Sequence, residues 1–137
     1  MTPAPDLARI LADTRTIAVL GASANPDRAS HDVYRYLVST GDYTVYPVNP
    51  MITEIDGAPT FPSLAALPVV PDLVDVFRRQ SELASVFADV LALPSPPKTL
   101  WLQLGLFDEA LAAQARAAGI DVVMDRCLKV DHARLRG

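Results

Sequence analysis

Apolar residues fall along the chain in two alternating rhythms. Thr16-Ile17-Ala18-Val19-Leu20 is a short, nearly continuous apolar run ending at Gly21, the pattern of a parallel strand buried on both faces. Ala29, Val33, Tyr34, Leu37 and Val38 then recur at helical spacing until Gly41 stops them. Tyr43–Val48, aromatic and β-branched and closed by Pro47 and Pro50, predicts a second strand. Leu73–Phe77, Thr99–Leu104 and Ile120–Met124 predict three more. Helices over Ser81–Leu93 and Phe107–Ala118 separate them, the first ended by Pro94, Pro96 and Pro97, the second by Gly119. A short helix over 6–13 carries Leu7, Ile10 and Leu11 on one stripe. Between Met51 and Pro68 the pattern is irregular. Ile55-Asp56-Gly57 reads as a turn, and Ser63 as the cap of a short helix through Leu67. The tail from Cys127 predicts a short helix or turn.

Strands alternating with helices of about ten residues or more imply βαβ units. The expected fold is α/β: a single three-layer Rossmann-like domain with a parallel sheet of about five strands in the order 3-2-1-4-5. No repeat or linker divides the chain, so residues 1–137 are expected to form one domain with its core over 16–132.

The 137 residues, half of them hydrophobic, suffice for a core without disulfides or metals. One cysteine, Cys127, precludes a disulfide within the chain and makes the cytoplasm the expected location. Met1–Leu11 lacks a secretory pattern, and no apolar run approaches the ~20 residues that span a bilayer, so no membrane association is expected. The net charge of −4 argues against nucleic acid as a partner. His31, Cys127 and His132 are too scattered for a zinc site, so no metal is expected. The two histidines are expected at the surface or as caps. No Gly-x-Ser-x-Gly elbow is present.

In an open parallel sheet, ligands bind beyond the carboxyl ends of the strands, where strand order reverses. Gly21-Ala22-Ser23 would turn tightly from the first strand toward a helix whose free N–H groups and dipole suit a pyrophosphate. Asn25 or Ser30 would cap that helix. A tight turn with no ligand is the plain alternative. An NAD fingerprint requires glycines where Ser23 and Pro26 stand, and an acid where Val48-Asn49-Pro50 stands. NAD is therefore disfavoured, though an NAD(P)-binding protein stays as an alternative. Arg28, Arg78 and Arg79 are either phosphate ligands or ordinary solvated charges. Phe77 and Trp101 are expected to pack in the core. Asp75, inside an apolar strand, is expected to face solvent or a partner such as Arg126. Cys127 is either a small buried hydrophobe or a thiolate favoured by Arg126 and Lys129. In the second case it would form a mixed disulfide with a thiol ligand.

Six segments in order resemble the small bacterial and archaeal CoA-binding proteins. They are Gly21-Ala22-Ser23 with Asn25-Pro26, Arg28 and Ser30; Tyr46-Pro47-Val48-Asn49-Pro50; Ile55-Asp56-Gly57 with Pro62-Ser63-Leu64; Val74-Asp75-Val76-Phe77-Arg78; Trp101-Leu102-Gln103-Leu104-Gly105; and Met124-Asp125-Arg126-Cys127-Leu128-Lys129. The family's fold is similar to the CoA-binding domain of the succinyl-CoA synthetase alpha subunit. The resemblance implies coenzyme A as cofactor, with Ala22 and Ser23 at the diphosphate, Arg28 and Ser30 near phosphates, and Gly21 and Asn25 in the same binding loop. It implies Val48, Asn49 and Pro50 beside the adenosine and Val76, Phe77 and Arg78 along the same wall. Gln103 and Gly105 would approach the pantetheine arm, and Arg126 and Cys127 fall in a matching motif. The synthetase's phosphorylated histidine lies in a later domain, and neither histidine here matches it. The expected function is non-catalytic binding of CoA or an acyl-CoA, as carrier, sensor or regulatory module, with no catalytic residue. The alternative is an enzyme acting on a CoA thioester or nucleotide-linked substrate, with Cys127 or Asp125 as the chemical group.

Overall fold

The computed structural model describes residues 5–136; the expectations for Met1–Ala4 and Gly137 lie outside them. Five parallel strands form the central sheet: β1 (Thr16–Leu20), β2 (Thr44–Val48), β5 (Leu73–Val76), β6 (Thr99–Leu102) and β7 (Asp121–Val123). The remaining strands, β3 (Glu54–Ile55) and β4 (Ala58–Pro59), pair as a small separate hairpin. Its Asp56-Gly57 turn takes positive φ at both positions, the conformation that tight hairpins favour.

Helices cover both faces. On one side pack α3 (Leu83–Leu91) and α4 (Glu109–Ala117), with Val86, Phe87, Val90, Ala112 and Ala115 against Ala18, Val74, Leu100 and Leu102. On the other pack α1 (Leu7–Ala12), α2 (Ala29–Thr40) and α5 (Leu128–Arg136), with Ile10, Val33, Leu37 and Leu128 against Ile17, Val19, Trp101 and Val123. The three-layer α/β reading holds, and the tail is a helix.

The strand order is corrected. It runs β2-β1-β5-β6-β7, so the third long strand lies between β1 and β6 rather than outside β2. Two features account for this. Phe61 bridges to Val48 and exchanges backbone hydrogen bonds with Pro47 and Asn49, so the chain returning from the hairpin already fills the outer edge of β2. Leu73, Val74, Asp75 and Val76 are also completely buried, which only a central strand permits, whereas β2 is exposed at Thr44 as an edge strand is. The order now reverses between β1 and β5, and the ligand crevice belongs there.

Asp75 also departs from expectation. It faces neither solvent nor Arg126. It is fully buried between Val19 and Trp101 in the sheet, and neither carboxylate oxygen has a hydrogen-bond partner among the described residues. Burial pushes its carboxyl well above the usual carboxylate range. Arg126 instead grips Asp131 with two hydrogen bonds of 2.7 and 2.8 Å.

The histidines are not surface residues. His31 is buried and meets Asp56 at 3.1 Å, and Arg35 reaches the same oxygen at 3.0 Å, which ties the hairpin turn to α2. The Arg35 guanidinium, with His31 beside it, holds the Asp56 carboxyl below its ordinary range. His132 is buried between Tyr36, whose hydroxyl lies 2.7 Å from Nδ1, and Asp42, 3.4 Å from Nε2.

Candidate functional site

A cleft of about 900 Å³ opens where the sheet reverses. One wall is the loop after β1, with Gly21, Ser23, Arg28, Ala29 and Ser30. A second follows β5, from Phe77 through Gln80 to Glu82. The third follows β6, from Gln103 to Leu106.

The β1 loop is held from beneath. The N–H groups of Gly21 and Ala22 both donate to the Val48 carbonyl, at 2.9 and 3.3 Å. The Asn49 side-chain amide donates to the Ala22 carbonyl at 2.8 Å, while its oxygen accepts from Met51 N–H. Ser23 Oγ accepts from Asn25 N–H, and Asn25 Oδ1 accepts from Asp27 N–H, each at 3.0 Å. These turns carry the chain across to α2.

Neither Asn25 nor Ser30 caps that helix. Arg28 occupies the cap position, and no side chain bonds to the first turn. The backbone N–H groups of Ala29 and Ser30 thus keep no partner among the described residues, and both residues line the cleft. An uncapped helix start of this kind offers N–H donors and a positive dipole end to an anion.

Charge reinforces it. Arg28, Arg78 and Arg79 all line the cleft, and none forms a salt bridge among the described residues. Elsewhere Arg9, Arg35, Lys98, Arg126, Lys129, Arg134 and Arg136 are paired with carboxylates, while Arg15 and Arg116 stand singly, away from the cleft, with no salt bridge among the described residues. A chain of net charge −4 therefore keeps three unpaired guanidinium groups in one cleft, where Glu82 is the only lining carboxylate among the described residues. This donor set fits a ligand bearing several phosphates.

Of the residues expected at the site, Gly21, Ser23, Arg28, Ser30, Phe77, Arg78, Gln103 and Gly105 line the cleft. Ala22 and Val48 are buried beneath it, and Asn49 is spent on orienting the β1 loop. Val76 lies in the core. Asn25 and Pro50 are exposed but outside the lining. Arg126 is engaged by Asp131, and Cys127 packs against the α1/α2/α5 core cluster. Phe77 leans on that same cluster while lining the cleft, and Trp101 is core, its indole N–H donating to the Arg126 carbonyl at 2.9 Å. Arg79, Gln80, Leu104 and Leu106 complete the walls. Arg79 is marked in the sequence by its charge as well; for Gln80, Leu104 and Leu106 the signal is position alone, since each follows a strand end within a few residues.

The model of the CoA binding domain family matches residues 15–133. The chain is 38% identical over 128 residues to the uncharacterized protein YneT of Bacillus subtilis (strain 168), covering 93% of each. A solved structure from Thermus thermophilus, cell-free ID.343, superposes with a TM-score of 0.86 at 42% identity, covering 95% of this chain and 96% of that one. The dinucleotide-forming acetyl-coenzyme A synthetase 1 of Ca. Korarchaeum cryptofilum matches at TM-score 0.70 and 26% identity, over 85% of this chain but 26% of the synthetase. This chain belongs to the CoA binding domain family.

Proposed function

We propose that the chain binds coenzyme A or an acyl-CoA in the cleft between β1, β5 and β6 and holds it without chemical change, as a carrier, sensor or regulatory module. One observation carries the reading: three unpaired arginines line the same cleft as the uncapped start of α2 on an acidic protein. CoA presents a diphosphate and a further phosphate on the ribose, and Arg28, Arg78, Arg79 and the α2 N–H groups supply donors for both. β2 ends at Val48 and runs on into Asn49-Pro50, which offers no carboxylate for the ribose hydroxyls of NAD. The non-catalytic part of the reading rests on the lining itself. Among the described residues it contains no cysteine or histidine, and Ser23 Oγ meets a backbone N–H rather than a base.

Location in the cytoplasm belongs to the same proposal. It is compatible with the fact that no helix among the described residues is long and apolar enough to cross a membrane. Native mass spectrometry of freshly purified protein tests the ligand assignment. Co-purified CoA or acyl-CoA is expected. A different nucleotide retained in its place would overturn the assignment.

A further inference from the structure

Gln103 stands at the end of β6, lines the cleft, and is only 5% exposed. Leu128 N–H donates to its Oε1 at 3.1 Å. A backbone N–H can only donate, so the atom facing it must be oxygen, and the orientation of the amide is fixed. Nε2 is left with two donor hydrogens and no acceptor among the described residues. It is not sealed in the interior either, because the buried side-chain atoms without partners there are the two oxygens of Asp75. Nε2 therefore keeps access to solvent, on a residue that lines the cleft.

The wall around this amide differs from the phosphate end. Leu104 is 67% exposed, and Leu106 and Gly105 complete the lining beside it. Phe107, next in the chain, is 53% exposed. Its backbone is clamped by Gln80, whose side-chain amide donates to the Phe107 carbonyl at 2.6 Å and accepts from its N–H at 3.1 Å. No charged side chain lies among the lining residues from Gln103 to Leu106. The cleft is thus cationic along β1 and β5. Along β6 it is uncharged and apolar, with one oriented donor.

A ligand matching both halves is polyanionic at one end and carries, at the other, a carbonyl followed by an apolar group. We infer that the β6 wall holds the acyl end of a CoA thioester with an uncharged chain, Gln103 Nε2 donating to the thioester carbonyl and Leu104 covering the chain. The inference rests on the CoA reading of the cleft and adds a preference for the thioester over free CoA.

Calorimetric titration of CoA, butyryl-CoA and succinyl-CoA tests it. Butyryl-CoA should bind about tenfold tighter than CoA, the scale of one net hydrogen bond or a few partly buried methylene groups. Succinyl-CoA, which ends in a carboxylate, should lose that advantage. In Gln103→Glu an oxygen remains for Leu128 N–H but the donor is gone. In Leu104→Asp the exposed apolar wall is charged. In both, the ratio of CoA to butyryl-CoA dissociation constants should fall toward one. If wild type binds CoA and butyryl-CoA equally, or CoA more tightly, the thioester inference is overturned and the CoA reading survives. If it binds neither, both fall.

Discussion

Gly21 packs so tightly against the backbone of Phe77 that a Cβ at position 21 would come within 2.0 Å of the Phe77 carbonyl oxygen. The same glycine has a φ of +89°. The loops after β1 and β5, which form two walls of the cleft, are therefore seated on each other, and only a residue without a side chain permits it.

Gly21→Ala should destabilise the fold by about 2–3 kcal/mol, from left-handed strain and displacement of Phe77. CoA affinity should fall with it, because the Arg78 wall moves with Phe77. Urea denaturation and calorimetry measure the two effects. Wild-type stability in this variant would mean that the contact is not enforced.

Most of this arrangement was legible in the chain. Gly21, Gly41 and Gly119 ended their elements as read, whereas β6 stops at Leu102, short of Gly105; all four glycines take positive φ. The five long strands fell where the apolar runs placed them. Strand order was not legible, because it depends on what covers the outer edge of β2. Phe61 does so after an irregular stretch with no periodicity. The Leu73–Val76 run, apolar except at Asp75, was the available hint of a central strand. Within the site, residues at strand ends could be placed, but their commitments could not. Asn49 and Arg126 look like ligands in sequence, yet each is spent on the protein itself.

Asp75 predicts a pH dependence. Its pKa is raised in the folded state by burial alone, so the folded protein binds a proton that the unfolded chain releases in the ordinary carboxylate range. Its contribution is fully present below that range and is lost as pH rises through the raised folded value. Stability should therefore decline over that window, and Asp75→Asn should flatten the decline and raise the thermal midpoint at neutral pH. Thermal melts across pH read this directly. An unchanged slope in the variant would show that Asp75 has a partner in solution.

Arg28→Ala should weaken CoA binding by about 1.5–3 kcal/mol, the scale of charge-assisted hydrogen bonds. The loss should shrink as salt rises, because the side chain is exposed. Fold stability should be unaffected, since Arg28 forms no ion pair among the described residues. Titrations at two ionic strengths check both points. An absent effect would return Arg28 to the ordinary solvated charges.

Arg126→Ala should behave in the opposite way. Asp131 is buried and would lose two hydrogen bonds, keeping only Arg134 at 2.9 Å. A stability loss of about 1–2 kcal/mol is expected, moderated by the second arginine and by the partial exposure of Arg126. CoA affinity should hold. A selective loss of affinity without loss of stability would place Arg126 at the ligand after all.

The account stands on the identity of the anion that the three arginines and the α2 N–H groups await. Titration of wild type and Arg78→Ala with CoA and with NAD tests it most directly. CoA should bind more tightly than NAD, and loss of Arg78 should weaken CoA binding. NAD binding as tightly as CoA, or CoA binding indifferent to Arg78, would contradict it.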